Sequence, residues 1–277
     1  MKKIFVALLS AALLLTACSK NKKSGASTPK SIVALSPSAV EILYAVGAGS
    51  QISAVTDFAD YPEEAKSLPK VGGFDGKTLS MEKILSFKPD LVYLTDGMHN
   101  FLIEELEADG IAYYISNATS IEAVKNEILE VGKLTGHEKE AKVVLENMKT
   151  KLAKLSDGSV GNPKTVYYEV WNAPYMSVGT TSFINDVIAT AGARNIFDDL
   201  TDGYPVVSEE SIIARKPDVI LLTASSGVTA ASIAERAGWS EIPAVKNNKV
   251  FVIDDNLYSR PSPRIADAVN NLESLLK

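Results

Sequence analysis

One stretch of this chain occurs twice. Residues 80–95 read SMEKILSFKPDLVYLT and residues 208–223 read SEESIIARKPDVILLT. They match at Ser80/Ser208, Glu82/Glu210, Ile84/Ile212, Lys88/Lys216, Pro89/Pro217, Asp90/Asp218, Leu94/Leu222 and Thr95/Thr223. Each copy predicts a helix, a Lys-Pro-Asp turn and a buried strand. Proline cannot continue the helix, and aspartate suits the turn that follows. A weaker echo links SAVEILYAVGA (38–48) to SFINDVIATAGA (182–193), where a serine precedes an apolar helix closing on Gly-Ala. Two echoes in the same order imply two similar lobes, at a spacing far too long for a solenoid.

The rest of the chain fits that division. Strand-like runs fall at 31–35, 51–56, 90–95 and 112–116, then at 165–170, 218–223 and 249–254. Helical patterns at 38–46, 80–88, 99–109, 183–191, 208–215 and 264–276 alternate with them. Such alternation predicts an α/β fold, two similar lobes with largely parallel sheets. Between them, HEKEAKVVLENMKTKLAKLSDG (137–158) puts Val144, Met148, Leu152 and Leu155 on one helical face. A helix over 138–155 would be about 27 Å long. The expected organisation is a lobe over 31–136, a single long α-helix over 137–158 and a second lobe over 159–277. Such a connector is stiff, so small changes of lobe angle are expected when a ligand binds.

The first residues are of another kind. Lys2 and Lys3 precede an apolar run from Ile4 to Leu15, too short to span a bilayer comfortably, and Leu15-Thr16-Ala17-Cys18 follows. This resembles a bacterial lipobox, which makes 1–17 a signal peptide and Cys18 the lipidated first residue of the mature chain. The polar, basic residues 18–30 read as a tether to a membrane. Cys18 is the only cysteine, so no internal disulfide is available and the fold must stand on its core. A formal charge of −6 with scattered signs argues against nucleic acid as a partner.

Enzyme signatures are missing. The two histidines, His99 and His137, have no metal-ligand spacing, so no metal site is expected. There is no Gly-x-Ser-x-Gly elbow and no P-loop. The glycines of GAGSQI (47–52) follow a helix and lead into a strand, the reverse of a dinucleotide loop. An enzyme acting through scattered carboxylates on an envelope substrate stays open as an alternative class.

Aromatic residues gather in loops instead. Phe58 and Tyr61 stand in DFADYP, Phe74 in VGGFDG, Trp171 and Tyr175 in VWNAPYMS, and Tyr204 in TDGYPVV. Most fall just past a strand or just before a helix, the edge at which open α/β sheets bind ligands. A cleft lined this way suits a large, flat or greasy ligand. Pro261 and Pro263 stiffen SRPSPR (259–264). Arg260 is the arginine expected to aim at a ligand, and Arg264 the one expected to pin the turn through backbone carbonyls.

Seven stretches in order, from SIVALSPSAVEILYAVGA to SRPSPRI, together resemble the substrate-binding lipoproteins of ABC importers for cobalamin, haem and ferric siderophores. YYEVWNAPYMSVGTTSFINDVI and YPVVSEESII are most similar to cobalamin-binding members. The resemblance implies an extracytoplasmic monomer that captures a corrinoid between its lobes and delivers it to a permease dimer. Its rings would be Phe74, Trp171 and Tyr204, joined by Asn256 and Arg260. One glutamate per lobe, Glu82 and Glu210, would dock on the permease. Phe74, Thr95 and Tyr204 stand where some cobalamin binders place tryptophan. Ferric siderophores and haem are the alternatives in that order, with His99 and nearby tyrosines as candidate iron ligands. Nothing in the resemblance calls for a resident cofactor.

Overall fold

The computed structural model describes residues 28–153 and 162–277. The leader, Cys18, most of the tether and the end of the expected connector, including Leu155, lie outside those residues.

The chain opens with β1 (Ile32–Ala34), α1 (Pro37–Ala45), β2 (Ile52–Val55), α2 (Met81–Ser86), β3 (Leu91–Thr95), α3 (Ile103–Ala108) and β4 (Ala112–Ser116). Helices α4 (Ile121–Thr135) and α5 (Glu138–Leu152) follow. Next come β5 (Thr165–Glu169), a hairpin of β6 (Trp171–Asn172) and β7 (Tyr175–Met176), α6 (Phe183–Thr190), β8 (Arg194–Asn195) and α7 (Glu209–Arg215). The chain continues through β9 (Val219–Thr223), α8 (Ala230–Ala234), α9 (Pro243–Lys246), β10 (Val250–Ile253), α10 (Asp255–Ser259) and α11 (Ile265–Leu276).

Two four-stranded sheets result, ordered β2-β1-β3-β4 and β10-β9-β5-β8, with parallel pairing throughout. Counted within its own lobe, each sheet runs second, first, third, fourth. The repeat in sequence is therefore a repeat in topology.

The doubled stretch folds alike in detail. The Ser80 hydroxyl accepts from Lys83 N–H at 3.3 Å, and the Ser208 hydroxyl from Ser211 N–H at 3.1 Å, capping α2 and α7. Both helices end before the proline, because Lys88 and Lys216 each turn to φ 48°. The aspartates do more than shape a turn. Asp90 accepts from the amides of Lys30 and Ser31 at 2.8 and 3.0 Å, and Asp218 from the amide and hydroxyl of Thr165, both at 2.8 Å. Each clasps the third strand of its sheet to the start of the first.

The second echo needs one correction. Ser182 caps α6 as expected, but α1 is capped by Ser36, whose hydroxyl accepts from Ala39 N–H at 3.2 Å. Pro37 takes the first helical position, where its missing N–H costs nothing, and draws the helix start ahead of Ser38.

Within the expected connector, 137–158, the described residues form α5, Glu138–Leu152, about 22 Å long. Met148 is buried, with Val144 and Leu152 packed against the core. A helix the periodicity reading did not single out, α4, precedes it. A Cβ at Gly132 would stand 2.5 Å from that of Ala141, so α4 and α5 meet at a distance only glycine permits. The first amide of α4, Ile121 N–H, donates to Asp186 of α6 in the second lobe at 2.7 Å.

One apolar core crosses the whole molecule. It joins Ile32, Val40 and Leu43 to Val124, Ile128 and Met148, then to Tyr168, Val187, Val269 and Leu272. Because neighbouring strand residues face opposite ways, the outer faces hold cores of their own. Val33, Leu35, Val92 and Leu94 fill one, and Tyr167, Ile220, Leu222 and Trp239 the other.

Candidate ligand-binding site

Parallel strands end at a common edge. Where the chain leaves a first strand for neighbours on both sides, a crevice opens beyond the carboxyl ends. Large exposed apolar side chains collect there. In the first lobe these are Phe58 after β2, Phe74 before α2, and Met98 and Phe101 after β3. In the second they are Trp171 after β5, and Tyr204 and Val206 before α7. Elsewhere among the described residues only Tyr61, Leu129, Val143 and Val252 are comparably exposed, so the edge is a concentration and not scatter. Met98, Phe101 and Val206 were missed in the sequence. Met98 and Phe101 lie outside the aromatic-rich loops, and Val206, within TDGYPVV, is not aromatic, so position alone could have signalled them.

The Phe74 ring tilts 51° to Phe58 with centroids 5.3 Å apart. Their loops are fixed from below. Asp57 N–H donates to Gly72 carbonyl at 2.8 Å, and Asp75 accepts from Lys77 N–H, Thr78 N–H and the Thr78 hydroxyl at 3.0, 2.9 and 2.7 Å.

His99 lies fully buried beneath this loop. Its Nδ1 accepts from Thr95 N–H at 2.9 Å, which puts the neutral ring's proton on Nε2. Nε2 faces the Phe74 carbonyl without a well-formed hydrogen bond. Burial pushes the imidazole pKa down to about 4. An unfolded histidine, with pKa near about 6.5, takes up its proton first, so acid favours unfolding between these values. The slope reaches about 1.4 kcal/mol per pH unit. His99→Gln is expected to narrow the gap between urea midpoints measured at pH 7 and pH 4.5; an unchanged gap would contradict this reading.

Thr56 Oγ1, Thr95 Oγ1 and Tyr168 Oη are likewise buried without a hydrogen-bond partner. With His99 they make four of the five such side-chain atoms among the described residues, and all four stand at or near the carboxyl ends of strands. Native interiors keep few such groups, and their grouping marks this edge as polar beneath its apolar surface.

In the second lobe, β6 and β7 pair antiparallel and carry Trp171, whose indole N–H donates to Ala173 carbonyl at 3.1 Å. Tyr204 is exposed in the loop before α7, and Asn256 is exposed at the start of α10. Tyr175 turns inward. Its ring packs 5.9 Å from Trp239, and its hydroxyl donates to Glu209 at 3.1 Å.

The arginines meet a carboxylate from the other lobe. Glu41 of α1, almost fully buried, accepts from Arg260 Nη1 at 3.0 Å, the Ser262 hydroxyl at 2.5 Å, and Arg264 Nε and Nη2 at 3.0 and 3.2 Å. Arg260 Nη1 also donates to Asp60 at 2.5 Å, and this bond is the main cause holding the Asp60 carboxyl below its ordinary range. The clamp is the correction to the backbone-carbonyl role expected of Arg264. Arg260 is directed at carboxylates of the first lobe. Asp60 follows β2 and Arg260 follows β10, so this contact brings the carboxyl edges of the two sheets together.

Tyr61 belongs to this seam, with the Arg264 guanidinium 4.0 Å from its ring centre. A cavity of about 440 Å³ opens there, lined by Glu41, Tyr44, Tyr61, Met148, Lys151 and Arg264 among others. It contains none of Phe74, Trp171 and Tyr204, so it is not the aromatic edge.

Glu82 and Glu210 are exposed second residues of α2 and α7. A helix feeding a parallel strand runs back across the sheet, so both glutamates lie at the same edge as the rings. Among the described residues no cluster of three or more His, Cys, Asp or Glu side chains is arranged to hold a metal ion. None of their helices is long and apolar enough to cross a membrane.

Comparison with known proteins agrees with this architecture. Residues 32–257 match the model of the family described as periplasmic binding protein. An uncharacterized ABC transporter substrate-binding lipoprotein of Bacillus subtilis, YvrC, is 34% identical over 253 residues, covering 88% of this chain and 79% of that one. A vitamin B12-binding protein of Vibrio vulnificus is 31% identical over 250 residues, covering 87% of this chain and 88% of its own. Among solved structures, a possible iron-binding (periplasmic solute-binding) protein of Staphylococcus epidermidis superposes with a TM-score of 0.78 at 31% identity, over 90% of this chain and 99% of that one. Two parallel sheets of one topology, a shared helical core and apolar side chains at the facing edges are thus those of a family member: the chain belongs to the periplasmic binding protein family.

Proposed function

We propose that this chain is the extracytoplasmic solute-binding protein of an ABC importer, and that it takes cobalamin or a related corrinoid between its two aromatic edges. The observation that carries the reading is the pair of exposed apolar platforms, Phe58, Phe74, Met98 and Phe101 in one lobe and Trp171, Tyr204 and Val206 in the other. Such surfaces suit the two faces of a wide macrocycle. The stretches 57–62, 71–77, 96–101 and 201–207 carry Asp57, Asp60, Asp75, Asp96 and Asp202 but, of lysine and arginine, only Lys77, which disfavours an anionic ligand. Asn256, exposed near the start of α10, would meet a ligand amide. Arg260 would reach a ligand only by leaving part of its clamp. The vitamin B12-binding relative supports the same choice.

Haem fits less well, because His99 is buried and its Nδ1 is already occupied. A ferric siderophore is the second reading, favoured by the 31% identity to the possible iron-binding protein. No bond is made or broken in any of these readings, so the chain acts as a carrier and not an enzyme. Cys18 would hold it at a membrane, and Glu82 and Glu210 would seat it on a permease.

The test is thermal unfolding with hydroxocobalamin, a ferric hydroxamate or haem. A ligand at 100 times its Kd adds about 2.7 kcal/mol, which raises Tm by roughly 5–10 °C in a chain of this size. A shift with hydroxocobalamin alone is expected; a shift only with the hydroxamate or haem would replace the corrinoid, and turnover of an envelope substrate with no shift would replace the carrier.

A further inference from the structure

The two copies of the doubled stretch differ at a telling place. Where the first has Met81, the second has Glu209, the first residue of α7. Met81 packs against the apolar core of its lobe. Glu209 does something else. Its Oε1 accepts from the Tyr175 hydroxyl at 3.1 Å and from the Trp239 indole N–H at 2.7 Å.

Tyr175 is the inward residue of the hairpin that carries Trp171. Its carbonyl accepts from Val207 N–H at 2.9 Å, just ahead of the helix. The other side of this junction is equally tied. The Arg236 guanidinium lies 4.6 Å from the Trp239 ring centre and 5.1 Å from that of Tyr175. It grips fully buried Glu169, the last residue of β5, through two bonds of 2.6 and 2.8 Å. Glu169 stands two residues before Trp171. A bidentate arginine–carboxylate pair of this kind fixes orientation as well as distance.

In the first lobe the ring and the helix need no such tie, because Phe74 and α2 lie in one short segment of chain. Tyr204 and α7 are related in the same way. Trp171 is not: it lies far from α7 in sequence, and its two-residue hairpin reaches the helix through backbone bonds to residues 205–207 and through Glu209.

We infer that Glu209 is a positioning residue that locks the Trp171 hairpin to the first turn of α7, so that the ligand-facing ring and the exposed Glu210 beside it move as one body. Occupancy of the cleft is thereby passed to the face that meets the permease, and in the second lobe a side chain adds to the backbone bonds at 205–207 in making this link. The inference rests on the proposed roles of Trp171 and Glu210.

Backbone hydrogen exchange tests it in the ligand-free protein first. Glu209→Met, which installs the residue of the first copy, is expected to speed exchange of amides 170–177 about tenfold or more, together with those of 208–212. Glu209→Gln keeps an oxygen acceptor and should stay within about threefold of wild type. The Met81→Ala variant should leave 72–78 unchanged. If Glu209→Met speeds only 208–212, or if Glu209→Gln behaves like it, the hairpin is held by other means and the inference is overturned. A second arm adds hydroxocobalamin. Slower exchange at 208–215 in wild type, lost in Glu209→Met, supports the relay; equal slowing in both variants sinks it. If hydroxocobalamin does not bind at all, the corrinoid reading fails while the ligand-free comparison still decides the link.

Discussion

Glu41→Ala is expected to destabilise the protein by about 3–5 kcal/mol, the range for removing one partner of a buried ion pair. In a chain of this size that is a fall in Tm on the order of 10 °C. The carboxylate is nearly inaccessible, and three side chains from positions 260–264 converge on it. Without it, two guanidinium groups with side chains only 11% and 22% exposed face each other with little to balance them; Asp60 alone stays beside Arg260. Glu41→Gln should cost less, since the amide oxygen still accepts one donor. Thermal unfolding of both variants at pH 7 measures this. A loss below about 1 kcal/mol for the alanine variant would mean that solvent replaces the carboxylate and that the clamp adds little.

The largest functional effect is expected from Glu82→Ala combined with Glu210→Ala. Both carboxylates are exposed, and neither takes part in an ion pair among the described residues. Their stabilising effect is limited to about 0.3–1 kcal/mol each at the helix start. The double variant should therefore keep its Tm and ligand affinity almost unchanged. Uptake by cells producing it in place of the wild-type chain should be abolished, because steering and register on a charged partner depend on such exposed groups. Normal uptake would remove the docking role; lost ligand affinity would move the glutamates into the cleft.

Much of this architecture was legible in the chain. All seven expected strands are present, because each is an apolar run closed by a turn former, as in DLVYLT after Lys-Pro. The repeat announced the common topology for a physical reason: Asp90 and Asp218 do the same job in each lobe. The missed strands, β6, β7 and β8, are two residues long, too short to show alternation. Helix α4 escaped notice, although Ser120 caps it and Gly136 ends it.

The site was legible less evenly. Phe74, Trp171 and Tyr204 follow from aromatic residues among turn formers. Tyr175 and Tyr61 carry the same local signal, yet Tyr175 turns toward Glu209 and Tyr61 under Arg264. What separates the two groups is a partner far away in sequence, and no local pattern records it. Glu41 is the clearest case. It reads as an ordinary helix glutamate, and its partners come 219 residues later.

The core that runs unbroken through α1, α4, α5, α6 and α11 has a consequence for how the molecule comes apart. Two lobes built on the same plan invite the picture of two modules, each able to fold by itself. A half-chain ending after β4 would leave the apolar face of α1 open to water, without α4 and α5 to cover it. The duplication therefore survives as geometry but not as autonomy. Neither half is expected to fold alone, and because they share this core the two sheets should lose their order together.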